Sequence, residues 1–370
     1  MKILKVIASG FKNCADNFEV SYIPTARKTA EDKEYELQEI ADGLYVFSTI
    51  GVVGKNASGK TSVLDLLSVC YDILGTFRVN KKEYSLDGVK LTIYFYHEGN
   101  IYKYQTKLKE DEISDKVLFA DQKITYKKYY KTNVNSIFDE EGYEEYPLEG
   151  ELPEDTSSVF FVMKKLSRRA FYYGSFDLGY GIYKAAFMAQ RIIDMPDRVL
   201  MNIIRIFDEN ITSLKMVDDS NFKLTSCGKT EILSDKELYS RLSNGTTKGL
   251  LLYTLVVLTL LEGDDLIIDE VENHFHKTLV ENIISLYKDK SVNKYNSTLV
   301  FSTHYCELLD LFGRQDNIYI TKADKKVNIH NMYKDYDVRS ELLKSKQFYN
   351  NVFETAVNYE ALMSLKKELK

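Results

Sequence analysis

A glycine-rich segment with one lysine is the first part of the chain whose residue types and spacing could do chemistry. Its eight residues match GxxxxGK[ST] and are Gly54, Lys55, Asn56, Ala57, Ser58, Gly59, Lys60 and Thr61. In such a loop the backbone N–H groups turn toward phosphate oxygens, the lysine reaches the β and γ phosphates, and the threonine hydroxyl binds Mg²⁺. We therefore expect these residues and Ser62 to bind ATP with Mg²⁺. A glycine turn with an incidental lysine is the alternative.

Two adjacent carboxylates follow a short apolar run later in the chain. The run covers residues 266–268, and Asp269 and Glu270 come directly after it. At the end of a buried strand, the first carboxylate can hold Mg²⁺ and the second can orient and polarise an attacking water. Taken alone, the pair is equally consistent with an acidic strand end that has no chemistry. Together with Lys60, it predicts Asp269 and Thr61 as metal ligands and Glu270 as a catalytic residue.

A helix cap and a histidine complete the set of candidate residues. Ser243, Asn244 and Gly245 precede a long apolar segment, where the serine can cap a helix and leave its N–H groups facing an anion. His304 follows a second apolar run, residues 298–301, and a Ser-Thr pair. A well-capped core helix and a structural strand-end histidine are the alternatives for each motif alone. The order of all four motifs along the chain favours the functional interpretation.

These motifs resemble the ABC-type ATPase heads of the SMC, RecF and OLD families, and most closely the stand-alone AAA family ATPases of bacterial antiphage defence loci. The segments that carry the resemblance are GKNASGKTS, LSNGT, IIDEVENHFH and FSTHYCELL. Residues from about 81 to 240 add almost nothing to it. The resemblance implies that His304 is the switch histidine, a catalytic residue that contacts the γ-phosphate. It also implies that Ser243, Asn244 and Gly245 close over ATP bound to Lys60 of a second copy, which gives a homodimer with ATP at its interface.

The resemblance also implies a function. We expect a slow, regulatory ATPase that converts ATP and water to ADP and phosphate and acts as a dimeric molecular switch. Such a switch would be the sensor of an antiphage defence system and would control a separate effector, a nuclease or a toxin. Two alternatives stay open: a RecF/SMC-like DNA-binding repair ATPase, with DNA or RNA as its partner, and the nucleotide-binding subunit of a transporter. The roughly 180 residues between Thr61 and Ser243 argue against a compact transporter subunit.

Two features depart from the family pattern. Phe275-His276-Lys277 stands where OLD-like chains usually have Leu-His-Pro, so the role of His276 is left open. His274 and His276 alternate like metal ligands, yet no cysteine or further histidine cluster supports a closed zinc site. A glutamine ligand for Mg²⁺ is also unassigned. Its candidates, by order in the chain alone, are Gln105, Gln122 and Gln190.

Two basic clusters have a functional and a structural interpretation. Tyr126 to Lys131 interleaves aromatic and basic residues, as a nucleic-acid platform does, or as an edge strand protected by lysines does. The second cluster could contact phosphates or an acidic partner, or form a solvated helix face. It consists of Lys164, Lys165, Arg168 and Arg169.

The elements that must position these motifs predict an α/β P-loop NTPase fold. We expect an ABC-type ATPase head with a mixed or parallel core sheet, an antiparallel β lobe and an inserted helical region. Residues 1–370 would form one domain, in four parts. These parts are 1–80, the N-terminal strands and the P-loop; 81–240, the β lobe and the inserted region; 241–335, the core with the signature, the Asp-Glu pair and the switch histidine; and 336–370, a helical tail.

The periodicity of apolar residues predicts the individual elements. The predicted strands cover residues 2–8, 44–53, 266–268 and 298–301. The predicted helices cover residues 62–74, begin near Pro196 and after Gly245, and include the tail from Arg339. The β lobe is expected between about residues 90 and 130, with turns at residues 98–100 and 121–122, and residues 133–154 are expected to form a solvated loop.

The composition excludes several classes of protein. The chain has 370 residues, a net charge of -6 and four scattered cysteines. The charge argues against binding of polyanions by the whole surface, and the cysteine spacing argues against a disulfide-rich secreted protein. The N-terminus lacks the apolar core of a signal peptide, and the most apolar run, residues 250–261, is too short to span a bilayer. We therefore expect a cytoplasmic protein without a membrane partner or disulfides.

Overall fold

Two six-stranded β-sheets organise the computed structural model of the protein. The structure describes residues 1–111, 116–165, 170–174, 179, 181–273, 275–338, 342–354 and 359–369. The strands in these residues are β1 (Lys2–Ser9), β2 (Phe18–Ser21), β3 (Leu37–Ala41), β4 (Leu44–Phe47), β5 (Thr49–Val53), β6 (Lys90–His97), β7 (Asn100–Glu110), β8 (Val117–Lys128), β9 (Glu144–Glu145), β10 (Ala170–Tyr173), β11 (Ile211–Met216), β12 (Asn221–Ser226), β13 (Lys229–Ser234), β14 (Asp265–Ile268), β15 (Leu299–Thr303), β16 (Ile318–Ala323) and β17 (Val327–Asn331).

Helices connect these strands, and short 3-10 or π segments cover residues 32–36, 131–136 and 306–311. The α-helices in the described residues are α1 (Lys60–Gly75), α2 (Val159–Met163), α3 (Gly181–Ile192), α4 (Asp197–Phe207), α5 (Asp235–Arg241), α6 (Asn244–Glu262), α7 (Lys277–Lys288), α8 (Met332–Asp335), α9 (Lys344–Tyr349) and α10 (Tyr359–Glu368).

The core sheet has the strand order β10-β14-β15-β5-β16-β17, and all its pairs are parallel except β16 with β17. Its central strands are buried on both faces, which explains why they are continuous apolar runs rather than alternating ones. Ile267 and Val300 pack into one hydrophobic cluster, whereas Ile268 and Phe301 pack into another. The sheet therefore separates two cores. The predicted α/β P-loop fold with a mixed core sheet is confirmed.

The second sheet forms the antiparallel lobe, with the order β2-β1-β6-β7-β8-β9. The predicted turn at residues 98–100 joins β6 to β7. The predicted turn at residues 121–122 is wrong, because β8 continues through it. Asp121 has φ +51°, and the register of β7 with β8 shifts there, so the turn-forming residues produce a β-bulge instead.

Two further differences concern strand boundaries and the inserted region. The run at residues 44–53 forms β4 and β5, which belong to different sheets and meet at Ser48. The Ser48 hydroxyl donates to the backbone carbonyls of Tyr35 and Glu36. A single serine is too small a change in the apolar pattern to mark a strand boundary in the sequence. The insertion contains a three-stranded sheet, β11-β12-β13, that the sequence did not predict.

The tail and the most apolar helix also bear on the sequence predictions. The described part of the tail, predicted to be helical, contains the helices α9 and α10, with turns at residues 350–353. Part of the predicted tail helix, residues 339–341, 355–358 and Lys370, lies outside the described residues. Helix α6 is long and apolar enough to cross a membrane, but 72% of its apolar window is buried inside the protein, as in a core helix. The four cysteines are free thiols.

Candidate active site

The P-loop lies between the carboxyl end of β5 and the first turn of α1. Gly54 and Gly59 let its backbone pack closely against neighbouring side chains. A Cβ atom on Gly54 would lie 2.4 Å from the Ser58 Oγ. Gly59 has φ +97°, and a Cβ there would lie 2.3 Å from a methyl carbon of Val327. Both positions require glycine for steric reasons. The resulting cradle leaves backbone N–H groups at the N-terminus of α1, where an anion is favoured.

Lys60 is almost fully buried at the bottom of this cradle, with 6% of its surface exposed. Its Nζ donates to the carbonyl oxygens of Gly54 and Lys55, at 3.2 and 3.3 Å, and lies 3.5 Å from the His304 Nδ1. Burial lowers the pKa of Lys60, and the negative charges of nearby Glu270 and Asp269 oppose that shift. Long bonds to neutral carbonyls are weaker than bonds to charged oxygens, so a phosphate would be the better partner for this amine.

Asp269 connects the end of β14 to the start of α1. The Thr61 hydroxyl donates to the Asp269 Oδ2 at 2.7 Å, and the Ser302 hydroxyl donates to the Asp269 Oδ1 at 2.5 Å. A hydroxyl and a carboxylate are the hard oxygen donors that Mg²⁺ prefers. The residues present therefore fit the predicted metal, with Thr61 and Asp269 as the pair that would hold it.

Glu270 and His304 lie beside each other above Lys60. The Glu270 Oε1 is 3.5 Å from the His304 Nε2, and its Oε2 accepts from the Asn273 side-chain amide at 2.5 Å. The backbone of Glu270 has φ +50°, an uncommon conformation for a non-glycine residue, and its N–H donates to the Ser302 Oγ at 2.7 Å. The fold therefore holds this carboxylate by both its backbone and its side chain, next to the lysine.

An open cleft of about 770 Å³ contains most of these groups. It is lined by Asn13, residues 56–62, Glu270, Asn273, His304, Ala323 and Val327. A larger cleft of about 1140 Å³ lies elsewhere, between residues 26–36 and 310–315, and contains none of the predicted site residues. Its buried charges are already paired, including Lys288 with Glu36 and Arg314 with Asp316. The smaller cleft is therefore the one that matches nucleotide chemistry.

The tip of α6 lies outside this cleft. The Ser243 Oγ accepts from the backbone N–H of Thr246 at 3.0 Å, so the predicted helix cap is present. Ser243 and Asn244 are exposed, and residues 243–245 are not among those that line the cleft. The structure thus brings Lys60, Thr61, Asp269, Glu270 and His304 together. It leaves the capped tip at the surface of the same subunit.

Several residues of the site were missed by the sequence analysis. Glu272 is buried, and its Oε1 accepts from the backbone N–H of His304. Its Oε2 is buried without a hydrogen-bond partner in the described part of the chain. Asn273, Ser302 and Thr321 hold Glu270, Asp269 and the P-loop Ser58 respectively. Glu272 was visible in the sequence as the last acid of Asp-Glu-Val-Glu. Its contact with His304 could not be predicted, because it joins two segments that are far apart in the sequence.

Gln122, Gln190 and His276, three of the residues left unassigned by the sequence, have structural contacts. Gln122 accepts from the Tyr104 hydroxyl and the Ser158 N–H, both at 2.7 Å, and Gln190 donates to the Met195 carbonyl. No candidate glutamine, Gln105 on β7 included, is among the residues that line the cleft. His276 caps α7 through the Thr278 N–H, which gives it a structural role. His274 lies outside the described residues. The described residues hold no cluster of three His, Cys, Asp or Glu side chains suited to a metal.

The first basic cluster is not a continuous free surface, and the second is described only in part. Lys127 is buried and donates to the carbonyls of Ser136 and Asp139, at 2.6 and 2.9 Å, while Lys131 pairs with Asp42. Nucleic-acid binding through Tyr126 to Lys131 is therefore not supported, because Lys127 holds the loop that follows. In the second cluster, Lys164 and Lys165 are exposed, and Arg168 and Arg169 lie outside the described residues.

One family model matches part of the chain. Residues 200–310 match a family model described as "AAA domain, putative AbiEii toxin, Type IV TA system". The matched range includes the tip of α6, Asp269, Glu270 and His304, whereas the P-loop lies outside it. No curated protein matched the chain.

Two solved structures are similar over most of the chain. One is the SMC head domain from Thermotoga maritima, with 12% identity over 90% of this chain and 99% of that chain and a TM-score of 0.40. The other is an SmcHead bound to the C-winged helix domain of ScpA, with 12% identity, the same two coverages and a TM-score of 0.45. The match of residues 200–310 to an AAA-domain model agrees with the predicted resemblance to an ATPase head over the range that holds Asp269, Glu270 and His304.

Proposed function

We propose that the protein is an ATP-hydrolysing switch that closes as a homodimer around ATP. The observation that carries this proposal is the separation of two complementary half-sites. One is the cleft around buried Lys60, and the other is the exposed, capped tip of α6 at Ser243. A helix N-terminus favours an anion, and this one lies outside the cleft of its own subunit. Two copies in a C₂ dimer could each place this tip against the cleft of the other.

The cleft residues suit phosphate binding and attack by water. The N–H groups of the P-loop and the Lys60 amine would hold the phosphate oxygens, and Thr61 and Asp269 would hold Mg²⁺. The metal, when bound, supplies positive charge that stabilises the transferring phosphoryl group. Glu270 would orient the attacking water and accept its proton, since its carboxylate is fixed by Asn273. His304, between Lys60 and Glu270, would contact the same phosphate.

Two measurements test this proposal with the purified chain. Phosphate release should require both ATP and Mg²⁺. Sedimentation velocity should show a monomer without nucleotide and a dimer with a nonhydrolysable ATP analogue. A chain that releases phosphate but stays monomeric under all conditions would contradict the shared site. A chain that neither binds ATP nor releases phosphate would contradict the whole proposal.

The family description links the matched range to toxin-antitoxin systems. Its words name a putative toxin and a toxin-antitoxin system. On this basis we extend the proposal to a cytoplasmic sensor of antiphage defence that controls a separate nuclease or toxin. Cells that carry the gene with its genomic neighbours should survive phage challenge better than cells with an inactive Glu270→Gln version. Equal survival of the two strains would contradict the defence role and leave the ATPase proposal intact.

A further inference from the structure

One half of a face of the antiparallel lobe carries a group of lysines. The strand register places Lys90 of β6 opposite Lys107 of β7, and Gln105 of β7 opposite Lys123 of β8. Directly opposite residues project to the same face of a sheet, and residues two apart on a strand share that face, so Lys109 belongs to it as well. We call these four lysines the basic half of the face.

The basic half has no acidic partner in the described part of the chain. Three of its lysines are exposed, and Lys107 is partly exposed. No ion pair between described residues includes any of the four. Like charges directly opposite each other, as at Lys90 and Lys107, destabilise a sheet. Protection of an edge strand does not explain these two lysines, because β6 and β7 are interior strands.

The other half of the same face is covered by the loop that follows β8. The Lys103 Nζ donates to the Glu140 Oε1 at 2.5 Å, and the Lys127 Nζ donates to the Ser136 carbonyl at 2.6 Å. Lys103 lies two residues from Gln105 on β7, so it projects to the face of the basic half. The loop therefore lies beside the basic half, on the same side of the sheet.

This loop presents carboxylates to solvent. Asp139, Glu140 and Glu141 are exposed, and so is Glu145, which pairs with Thr125 on the same face. Among the described residues, Glu140 is the one acid of the four that forms an ion pair with a lysine. We call these four acids the acidic half. One face of the lobe therefore carries four lysines next to four acids.

We propose that this face pairs with the same face of a second copy of the chain. A two-fold axis perpendicular to the face, between its halves, places each basic half against the acidic half of the other copy. One pattern of charge then serves both copies, as in any isologous contact. Nucleic acid fits the whole face less well, because the acidic half repels phosphates. The contact uses neither the P-loop cleft nor the tip of α6.

The contact should be weak and dependent on salt. Exposed ion pairs contribute little individually, and salt screens them. Together with the ATP-dependent dimer, the contact gives each chain two different two-fold interfaces, which join dimers into a larger assembly. Only this last consequence rests on the proposed function.

Sedimentation velocity of the full chain without nucleotide tests the proposal. The unaltered chain should form dimers at about 20 mM salt and monomers at about 500 mM salt. The ATP-dependent dimer is measured separately at the higher salt concentration, where the lobe contact is screened. Failure of one contact can therefore be distinguished from failure of the other.

Two double variants test the two halves of the face. Lys107→Glu with Lys123→Glu removes the net charge of the basic half, and Glu141→Lys with Glu145→Lys removes that of the acidic half. Each variant alone should raise the Kd of self-association at least about tenfold, because the two-fold axis makes every change count twice. An equal mixture should associate more tightly than either variant alone, since it retains one unaltered basic half against one unaltered acidic half.

The control is Lys128→Glu with Lys294→Glu, two exposed lysines outside both halves. It has the same change in charge as the first variant and should associate like the unaltered chain. The proposal is overturned if the unaltered chain is monomeric at low salt, or if its association is the same at both salt concentrations. It is also overturned if the mixture associates no better than its components. A monomeric chain that binds polyglutamate through Lys107 and Lys123 would indicate a foreign acidic protein instead.

Discussion

The P-loop cleft and the tip of α6 differ in how far one subunit completes them. In the cleft, Thr61, Asp269 and Ser302 are already joined by hydrogen bonds, and Lys60 is buried before any ligand binds. At the tip, Ser243 satisfies one N–H of its own helix and the surface around it stays exposed. The difference indicates that one subunit alone positions the residues for phosphate binding and water activation. Closure of the site is left to a second copy.

Lys60→Ala should have the largest effect, because Lys60 is the only lysine or arginine among the described residues that line the cleft. We expect ATP binding to fall by at least about 100-fold, the loss typical of a buried charge-assisted contact. Isothermal titration calorimetry measures it. Lys294→Ala, an exposed lysine outside the cleft, is the matched control and should bind ATP normally. If Lys60→Ala binds ATP as tightly as the control, the cleft is not the nucleotide site.

Glu270→Gln should separate binding from hydrolysis within the cleft. The amide keeps an oxygen near His304 but cannot accept a proton from water, so turnover should fall by roughly 10²- to 10⁴-fold. ATP binding should be retained, and the dimer should accumulate with ATP itself. Phosphate release and sedimentation of one sample measure both effects. Turnover at the level of the unaltered chain would exclude Glu270 from the mechanism.

Ser243→Arg tests whether the tip of α6 is needed for closure of the dimer. A large cation there should block closure of the dimer, while the cleft still binds ATP with an affinity within about threefold. Loss of a helix cap alone costs about 1 kcal/mol, so a control for that effect is needed. Ser234→Arg provides it, since Ser234 caps α5 in the same way. If both variants dimerise equally well with an ATP analogue, the tip has no role in closure.

The elements of the site that follow from local pattern could be predicted from the sequence. The P-loop, the cap of α6 and the apolar strands β14 and β15 each lie in one short segment whose periodicity or turn chemistry is legible by itself. The β-bulge at Asp121 and the break at Ser48 could not be distinguished from a turn and a continuous strand. The bulge depends on the pairing of β8 with β7, and the break depends on a hydrogen bond from the Ser48 hydroxyl to the Glu36 carbonyl, neither of which propensity alone specifies.

The contacts that organise the candidate site are mostly non-local, so the sequence could name its residues but not their connections. Ser302 joins Asp269 and Glu270 across 33 and 32 positions of the chain, and Thr321 holds Ser58 across 263. The basic clusters show the same limit. Lys127 looked available for phosphate but is buried, because its amine donates to carbonyls of the loop that follows β8.

Substitution of Glu272 has the smallest predicted effect. It tests whether Glu272 positions His304 before a ligand binds. Its carboxylate holds the backbone N–H of His304 and adds negative charge near Lys60. Glu272→Gln and Glu272→Leu both remove the charge, but only glutamine keeps a carbonyl oxygen that can accept from His304. A hydrogen bond to a charged group contributes about 1.5–3 kcal/mol, so the leucine variant should lose at least about tenfold in kcat.

The expected pattern is a fall in kcat with little change in the KM for ATP, since Glu272 does not line the cleft. The glutamine variant should recover most of the rate, because it restores the acceptor without the charge. If both variants lose activity equally, the charge near Lys60 matters more than the position of His304. If neither variant loses activity, β15 alone holds the backbone of the following His304 in place, and the hydrogen bond from Glu272 is not needed for turnover.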